Sequence, residues 1–118
     1  MAARDTELLK GTLEGLVLAL LALQPAYGYE ITTWLRSHGL SDIAEGTIYA
    51  LLIRVEKRGL VEASKVRSDK GPPRKVYSIT AAGHRQLEEF WEQWSFLTQQ
   101  LQQLREQGES HGDFSSIA

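Results

Sequence analysis

The sequence contains no cysteine, which excludes a disulfide framework, a thiol nucleophile and a cysteine-based zinc site. It also lacks a long apolar run. The longest extends over eight residues from Leu16 to Leu23, whereas a membrane-spanning helix needs about 20. The N-terminal segment includes Asp5 and Glu7 and has no cleavage-like site, so it is not expected to be an export signal. These absences predict a soluble cytoplasmic protein.

Catalytic and metal-binding patterns are missing as well. His38, His84 and His111 are scattered along the chain, and no acid, base and nucleophile occur as a set that would support catalysis. Neither metal-ligand spacing nor a phosphate-cradling glycine loop is present. The sequence therefore predicts a protein that is not an enzyme, with no metal site and no cofactor.

Charge is unevenly distributed along the chain. The net charge is −2, but residues 36–75 carry nine of the 13 Lys and Arg residues and five of the 15 Asp and Glu residues, a local charge of +4. The rest of the chain carries a charge of −6. Because salt screens exposed charges beyond about 8–10 Å, attraction to phosphates is local. A basic face on an acidic body is thus compatible with DNA binding, although an ordinary patchy surface fits the charge balance equally well.

Helical spacing of apolar residues predicts two helices in the first third of the chain. The first begins after Asp5 and Thr6, which can cap it, and ends before Pro25. The second extends from about Gly28 to His38, and Gly39 is a natural C-terminal stop.

A third helix is predicted to begin near Asp42, which has capping-box spacing to Glu45, and to end at Gly59. Apolar residues at i, i+3, i+4 and i+7 are expected to face the core: Ile48, Leu51, Leu52 and Val55. The opposite side is cationic, with little bulk near its start: Thr47, Ala50, Arg54, Lys57 and the adjacent Arg58. A DNA-recognition helix requires this division between the two sides, but a solvated surface helix has it too.

Two strand-like runs follow, from Leu60 to Arg67 and from Lys75 to Ile79, and turn-forming residues lie between them. Cations cluster on this predicted hairpin: Lys65, Arg67, Lys70, Arg74 and Lys75. A basic hairpin alone is more often a sheet edge protected by lysines. Directly after a cationic helix, it indicates the wing of a winged-helix DNA-binding domain.

Thr80 can cap a last helix that is predicted to extend to about Glu106. Its apolar residues are spaced 3, 4, 3, 4, 3 and form a heptad seam for dimerisation: Leu87, Phe90, Trp94, Leu97, Leu101 and Leu104. One small domain cannot cover so long a seam. A second copy of the chain is expected to do so, with packing against the chain's own first helix as the alternative. The predicted segments are a DNA-binding domain over 1–79, a dimerisation helix over 80–107 and a disordered tail over 108–118.

Short motifs follow one another in a recognisable order: Leu13-Glu14, Tyr27–Ile31, Gly46–Tyr49, Arg54–Glu56, Gly59–Val61, Gly71–Tyr77 and Ile79–Gly83. Any one of them is weak, but together they resemble the PadR family of bacterial transcriptional regulators, in particular its small members with a single C-terminal helix. The resemblance covers roughly residues 8–105.

The resemblance implies a mainly α fold with a small β-hairpin, in which a winged helix-turn-helix precedes a long dimerisation helix. It implies a homodimeric repressor that binds double-stranded DNA. In the implied dimer the last helix of each chain packs against the partner's first helix. Thr47 and Tyr49 would lie at the DNA-facing start of the recognition helix, and Arg74 would reach DNA from the wing. Three positions depart from the family's usual residues and bear on the operator sequence rather than on the fold: Ala44, Ala50 and Ile53.

Phosphate neutralisation is expected to supply most of the affinity for DNA. The predicted DNA-binding residues are Thr47, Tyr49, Ala50, Arg54, Lys57, Arg58, Lys70, Arg74 and Lys75. Thr47 and Ala50 can approach a thymine methyl group, and Arg54 can reach a guanine edge. Tyr49 has two possible roles, because its hydroxyl can donate to a phosphate or its ring can fill a gap between helices. A dimer is expected to read a palindrome with half-sites about one helical turn apart.

A second site is suggested by Trp91 and Trp94, which lie one helical turn apart. Some small PadR members bind flat, apolar drugs between aromatic residues at the dimer centre, and the resemblance extends this role to both tryptophans. Such an effector would weaken DNA binding, although core packing is the commoner role of aromatics at this spacing. The alternative function is a winged-helix protein-interaction module without DNA binding, which would not need the cationic face.

Overall fold

The computed structural model describes residues 11–67 and 69–111. Within these ranges the elements are α1 (Leu13–Leu23), β1 (Ala26–Tyr27), α2 (Gly28–Ser37), α3 (Glu45–Lys57), β2 (Val61–Val66), β3 (Arg74–Ile79) and α4 (Ala81–His111). The predicted class is confirmed: a mainly α fold with a small antiparallel sheet, ending in one long helix. None of the described helices combines the length and the apolar character that crossing a membrane requires.

Two predictions lie outside the described residues. These are the cap of the first helix at Asp5 and Thr6 and the part of the predicted tail beyond residue 111.

The core of the fold is built by the apolar sides of α1, α2 and α3. Its most deeply buried residues are Val17, Leu18, Leu21, Ile31, Leu35, Ile48, Leu52 and Val55. All four inward-facing residues predicted for α3 are buried, which confirms the phase of that helix. Burying one such side chain contributes about 1.5–3 kcal/mol of transfer free energy. Because this burial fixes the rotation of α3 about its axis, the cationic side must face outward.

Glycines end both α2 and α3, as predicted. Gly39 has a φ of +110° and Gly59 a φ of +77°. L residues with a Cβ rarely adopt this left-handed conformation, so glycine is favoured directly after a helix.

The start of α3 differs from the prediction. The helix begins at Glu45, its N-cap residue is Ala44, and no side chain caps it, so the capping box predicted at Asp42 is wrong. Arg36 Nε donates a hydrogen bond of 2.9 Å to the carbonyl oxygen of Ile43. This tertiary contact holds the preceding segment as an irregular turn, and the helix starts only after it.

The sheet has the strand order β1-β3-β2, and both pairs are antiparallel. In the β2–β3 hairpin Val61 pairs with Ile79, and Ala63 pairs with Tyr77, within one residue of the predicted strand limits. The two-residue strand β1 was not predicted, because two residues are too short to show an alternating pattern. Its pairing of Tyr27 with Val76 brings the beginning of α2 beside β3.

Thr80 caps α4, as predicted. Its Oγ1 accepts a hydrogen bond of 3.0 Å from the Gly83 amide and donates one of 2.7 Å to the Gly59 carbonyl. Gly83 packs so tightly that a Cβ there would collide with the carbonyl oxygen of Leu60. The first turn of α4 is thereby fixed against the residues that lead into β2.

The far end of α4 differs from the prediction. The helix continues to His111 rather than ending near Glu106, so residues 108–111 are helical and do not belong to a tail. Gln102 donates a hydrogen bond of 3.1 Å to Glu106 one turn further on, and such i, i+4 contacts favour helix over coil. One glycine, Gly108, costs about 1 kcal/mol in a helix, which is not enough to end it.

The chain divides into two compact units, and the boundary falls inside α4. The first unit ends at Leu87 and is called the head; the second begins at Glu88 and is called the stem. Leu87 is only 6% exposed and belongs to the core of the head. Leu87, the first residue of the predicted dimerisation seam, is therefore already covered within the head.

Candidate nucleic-acid interface

The outer side of α3 is exposed along its whole length. It carries Thr47, Ala50, Ile53, Arg54 and Lys57, opposite the buried residues of the same helix. Small side chains lie near its beginning, and a Cβ added at Gly46 would meet no atom within 4 Å. Little bulk at the start allows a close approach to base edges, and the cations further along can reach phosphates.

The hairpin adds a second group of exposed cations. They are Lys65, Arg67, Lys70, Arg74 and Lys75. The register places Lys65 directly opposite Lys75 on neighbouring strands. Like charges in this position repel each other, and a polyanion bound along the hairpin would relieve the repulsion.

Arg58 lies in a different environment from the other predicted DNA-binding cations. It is the C-cap residue of α3, and its Nη1 donates to Glu14 Oε1 of α1 over 2.9 Å. Because Glu14 compensates its charge, Arg58 adds less to the positive field of the outer side than Arg54 or Lys57.

Tyr49 packs against the beginning of α2. A Cβ added at Gly28 would lie 2.6 Å from Tyr49 Cε1, so only glycine leaves room for the ring. Tyr49 nevertheless remains 40% exposed. The ring thus fills a gap between helices while part of the residue still faces solvent, so the two roles considered for Tyr49 are compatible.

A concavity of about 720 Å³ opens between α2, α3 and β3. Its lining residues are Tyr27, Gly28, Tyr29, Tyr49, Ile53, Pro73, Arg74, Lys75 and Tyr77. Burial raises the pKa of Tyr77 above its ordinary value of 10.0, and the nearby Glu56 and Tyr49 raise it further. The Tyr77 hydroxyl therefore stays neutral at physiological pH. It does not offset the positive charge that Arg74 and Lys75 give to this wall.

The lining residues Tyr27 and Tyr29 form an aromatic pair that the predicted site residues did not include. Their rings stack with centroids 5.6 Å apart and an interplanar angle of 16°. The guanidinium carbon of Arg74 lies 5.3 Å from the centroid of the Tyr29 ring. The sequence motif Tyr27–Ile31 indicated the family resemblance, but the contact with Arg74 depends on the unpredicted strand β1.

The stem presents an apolar face of its own. Its exposed members are Trp91, Trp94, Leu97, Leu101 and Leu104. Phe90 stacks near Trp94, with centroids 6.3 Å apart at 16°, and meets Trp91 in a tilted arrangement at 5.3 Å and 59°. Phe90 therefore restrains both indoles, which remain about two-fifths exposed at 44% and 42%.

An anchored helix with a cationic outer side, followed by a basic β-hairpin, defines the head as a winged-helix DNA-binding domain. The chain belongs to the Transcriptional regulator PadR-like family, whose profile matches residues 17–89. It is accordingly a DNA-binding transcriptional regulator and not an enzyme.

Two solved structures of PadR regulators agree with this assignment. A PadR-like transcriptional regulator from Bacillus cereus is 42% identical, with a TM-score of 0.74 over 83% of this chain and 95% of its own. A PadR family transcriptional regulator from Eggerthella lenta is 39% identical, with a TM-score of 0.78 over 86% of this chain and 88% of its own. An uncharacterized protein from Lysinibacillus sphaericus is also similar, with 33% identity over an alignment of 92 residues that covers 76% of this chain and 84% of that protein.

Proposed function

We propose that the protein is a homodimeric repressor that acts in the cytoplasm and binds a palindromic DNA operator. The observation that carries the proposal is the division of α3 into a buried apolar side and an exposed cationic side, next to a basic hairpin. The proposed contact residues are Thr47, Tyr49, Ala50, Arg54, Lys57, Lys70, Arg74 and Lys75. Arg58 is left out because it is ion-paired with Glu14.

Specificity is assigned to the exposed residues in the first half of α3. Thr47 and Ala50 can contact thymine methyl groups, and Arg54 can bind a guanine edge through two hydrogen bonds. Ile53 is 51% exposed on the same side and offers a further apolar contact. The lysines and Arg74 carry no sequence information and supply affinity through phosphates.

The first experiment measures binding to a labelled fragment upstream of the protein's own gene, and to a random duplex library, with competitor DNA at two salt concentrations. Arg54→Ala should weaken specific binding by about 1–3 kcal/mol, the usual loss for a bidentate base contact. Arg74→Ala should lower affinity for all sequences and reduce the salt dependence by about one phosphate contact.

Arg85→Ala is the matched control, since Arg85 is an exposed arginine of α4 outside the proposed contacts. It should bind the operator like the wild type. If no sequence in the library gives competitor-resistant binding, the operator proposal is wrong, and a winged helix that docks onto a protein becomes the better explanation.

Dimerisation is supported by the exposed apolar face of the stem. Trp94, Leu97, Leu101 and Leu104 continue the 3, 4, 3 spacing of a helix–helix seam and remain about half exposed. A contiguous apolar face of this kind is rare on a monomer. A second copy of the chain offers the same face and would complete a two-fold symmetric seam.

Release from DNA is assigned to a planar apolar effector that stacks on Trp91 and Trp94. Both indoles are partly exposed and restrained by Phe90, so a flat ligand meets aromatic walls that are already ordered. A ligand between two stems would favour one separation of the two heads and thereby change operator affinity.

Tryptophan emission tests the effector proposal in a Trp34→Phe background, which removes the one tryptophan outside the stem. Planar apolar compounds should quench or shift the remaining emission, and the change should shrink in Trp94→Phe. A broad panel without any change in emission would refute the effector site.

A further inference from the structure

We propose that Tyr29 is a positioning residue of the DNA interface, whose ring holds the guanidinium of Arg74 at the base of the wing. The proposal rests on the proposed contact between Arg74 and DNA. The guanidinium carbon lies 5.3 Å from the ring centroid. A cation within about 6 Å of an aromatic centroid is attracted by the negative face of the ring, and arginine favours such stacking.

The contact follows from the topology of the sheet. Strand β1 pairs antiparallel with β3, with Ala26 opposite Tyr77 and Tyr27 opposite Val76. Tyr29 and Arg74 each lie two residues beyond the last of these pairs, Tyr27 with Val76. The chain enters α2 at Gly28, so Tyr29 stands in the first helical turn beside the first residue of β3.

Two local contacts keep Tyr29 in place. The Tyr27 amide donates a hydrogen bond of 2.8 Å to Glu30 Oε1, which fixes the first turn of α2. The rings of Tyr27 and Tyr29 stack at 5.6 Å, which restricts the rotation of the Tyr29 side chain. Tyr29 therefore offers Arg74 a ring of defined orientation.

Arg74 needs such support because of its place in the chain. It is exposed and directly follows the wing loop, which contains Gly71 with a φ of +99°. A long exposed side chain loses conformational freedom when it binds, and ordering it beforehand reduces that loss. A cation–π contact takes up no N–H group of the guanidinium in a hydrogen bond, so these donors stay available for a phosphate.

NMR of the DNA-free protein tests the positioning directly. The ring current of Tyr29 should shift the Arg74 side-chain protons upfield. The shift should persist in Tyr29→Phe, which keeps the ring, and disappear in Tyr29→Leu, which keeps only apolar bulk. Arg74 resonances that do not respond to Tyr29→Leu would overturn the proposal without any DNA measurement.

Operator binding tests the consequence. Tyr29→Leu should weaken binding about two- to fivefold, the range expected from an exposed cation–π contact. Tyr29→Phe should bind like the wild type. In an Arg74→Ala background Tyr29→Leu should have no further effect, whereas in a Lys75→Ala background its full effect should remain.

Each alternative outcome has a separate meaning. A loss in Tyr29→Phe as large as in Tyr29→Leu would show that the hydroxyl itself contacts DNA, and the positioning role would be wrong. A Tyr29→Leu effect that persists without Arg74 would also refute it. A wild type that binds no operator would instead refute the proposed function, and the NMR shifts would still decide whether Tyr29 holds Arg74.

Discussion

Leu101→Ala on the stem provides a quantitative test of dimerisation. Leu101 is 55% exposed and lies on the apolar face with Trp94, Leu97 and Leu104. In the proposed dimer this face is covered by the same face of a second chain. The substitution should therefore weaken association without disturbing the head.

The magnitude follows from the surface that remains to be buried. Full burial of a leucine side chain is worth about 1.5–3 kcal/mol, and about half of Leu101 is available, which leaves about 1 kcal/mol. A two-fold interface contains the residue twice, so the dimer should lose about 2 kcal/mol. This raises the Kd of the dimer about 30-fold.

Sedimentation equilibrium over a range of protein concentrations measures this Kd. The matched control is Gln99→Ala, at an exposed position of α4 away from the 3, 4, 3 seam. Both changes replace a good helix former by alanine, so helix propensity differs by only a few tenths of a kcal/mol. Equal Kd values for the two variants, or a wild type that is monomeric at every concentration, would refute the seam.

Leu87→Ala tests the division between the two units when urea unfolding is measured beside the sedimentation equilibrium. Leu87 has the same phase as Leu101 in the apolar pattern, but it is 6% exposed in the head. Its loss should create a cavity and lower the free energy of unfolding by about 2–5 kcal/mol. If Leu87→Ala instead acts on association alone, the division at residue 87 does not describe how the chain folds.

Three further predictions concern the head. Gly83→Ala should lower the free energy of unfolding by about 1–3 kcal/mol in urea titrations, because the new methyl group meets a backbone carbonyl. Gly46→Ala, where the methyl group meets no atom, should be neutral or raise the free energy of unfolding by up to about 1 kcal/mol; equal values would contradict the close approach at Gly83. The pKa of Tyr77 is higher in the folded than in the unfolded chain, so its contribution to stability is complete below pH 10 and is lost as pH rises further. Urea titrations from pH 8 to 11 should show a smaller alkaline loss for Tyr77→Phe, and an unchanged loss would refute the raised pKa. Glu14→Gln should change stability by less than about 1 kcal/mol, because its ion pair with Arg58 is partly exposed, and a larger loss in the same titrations would mean that the pair is a structural anchor.

Much of the fold could be predicted because burial is periodic in the sequence. The four buried residues of α3 follow the 3.6-residue repeat, and the alternation of Tyr77 and Ile79 marks a strand with one inward face. Gly39 and Gly59 mark helix ends because their backbone conformation is unfavourable for other residues. These signals are local, so they can be read without knowledge of the tertiary structure.

The errors arise where a distant partner decides the outcome. Asp42 and Glu45 have the correct spacing for a cap, but the bond from Arg36 to Ile43 holds the preceding segment and moves the helix start. The apolar repeat along α4 likewise does not indicate which of its turns are buried within the head and which remain exposed. The head covers Leu87, and the same repeat continues into residues that it leaves exposed.

The proposed DNA interface depends even more than the helix limits on contacts between residues that are distant in the sequence. Composition locates the cations in one segment, and family resemblance names positions, but neither indicates which charges are compensated within the fold. Arg58 and Glu14 are 44 residues apart in the chain and pair across two helices. Arg74 meets Tyr29 only because two residues of β1 pair with β3. We therefore expect the strength of each proposed DNA contact to depend on what else holds the cation, so Tyr29 and Glu14 should influence binding without having to touch DNA themselves.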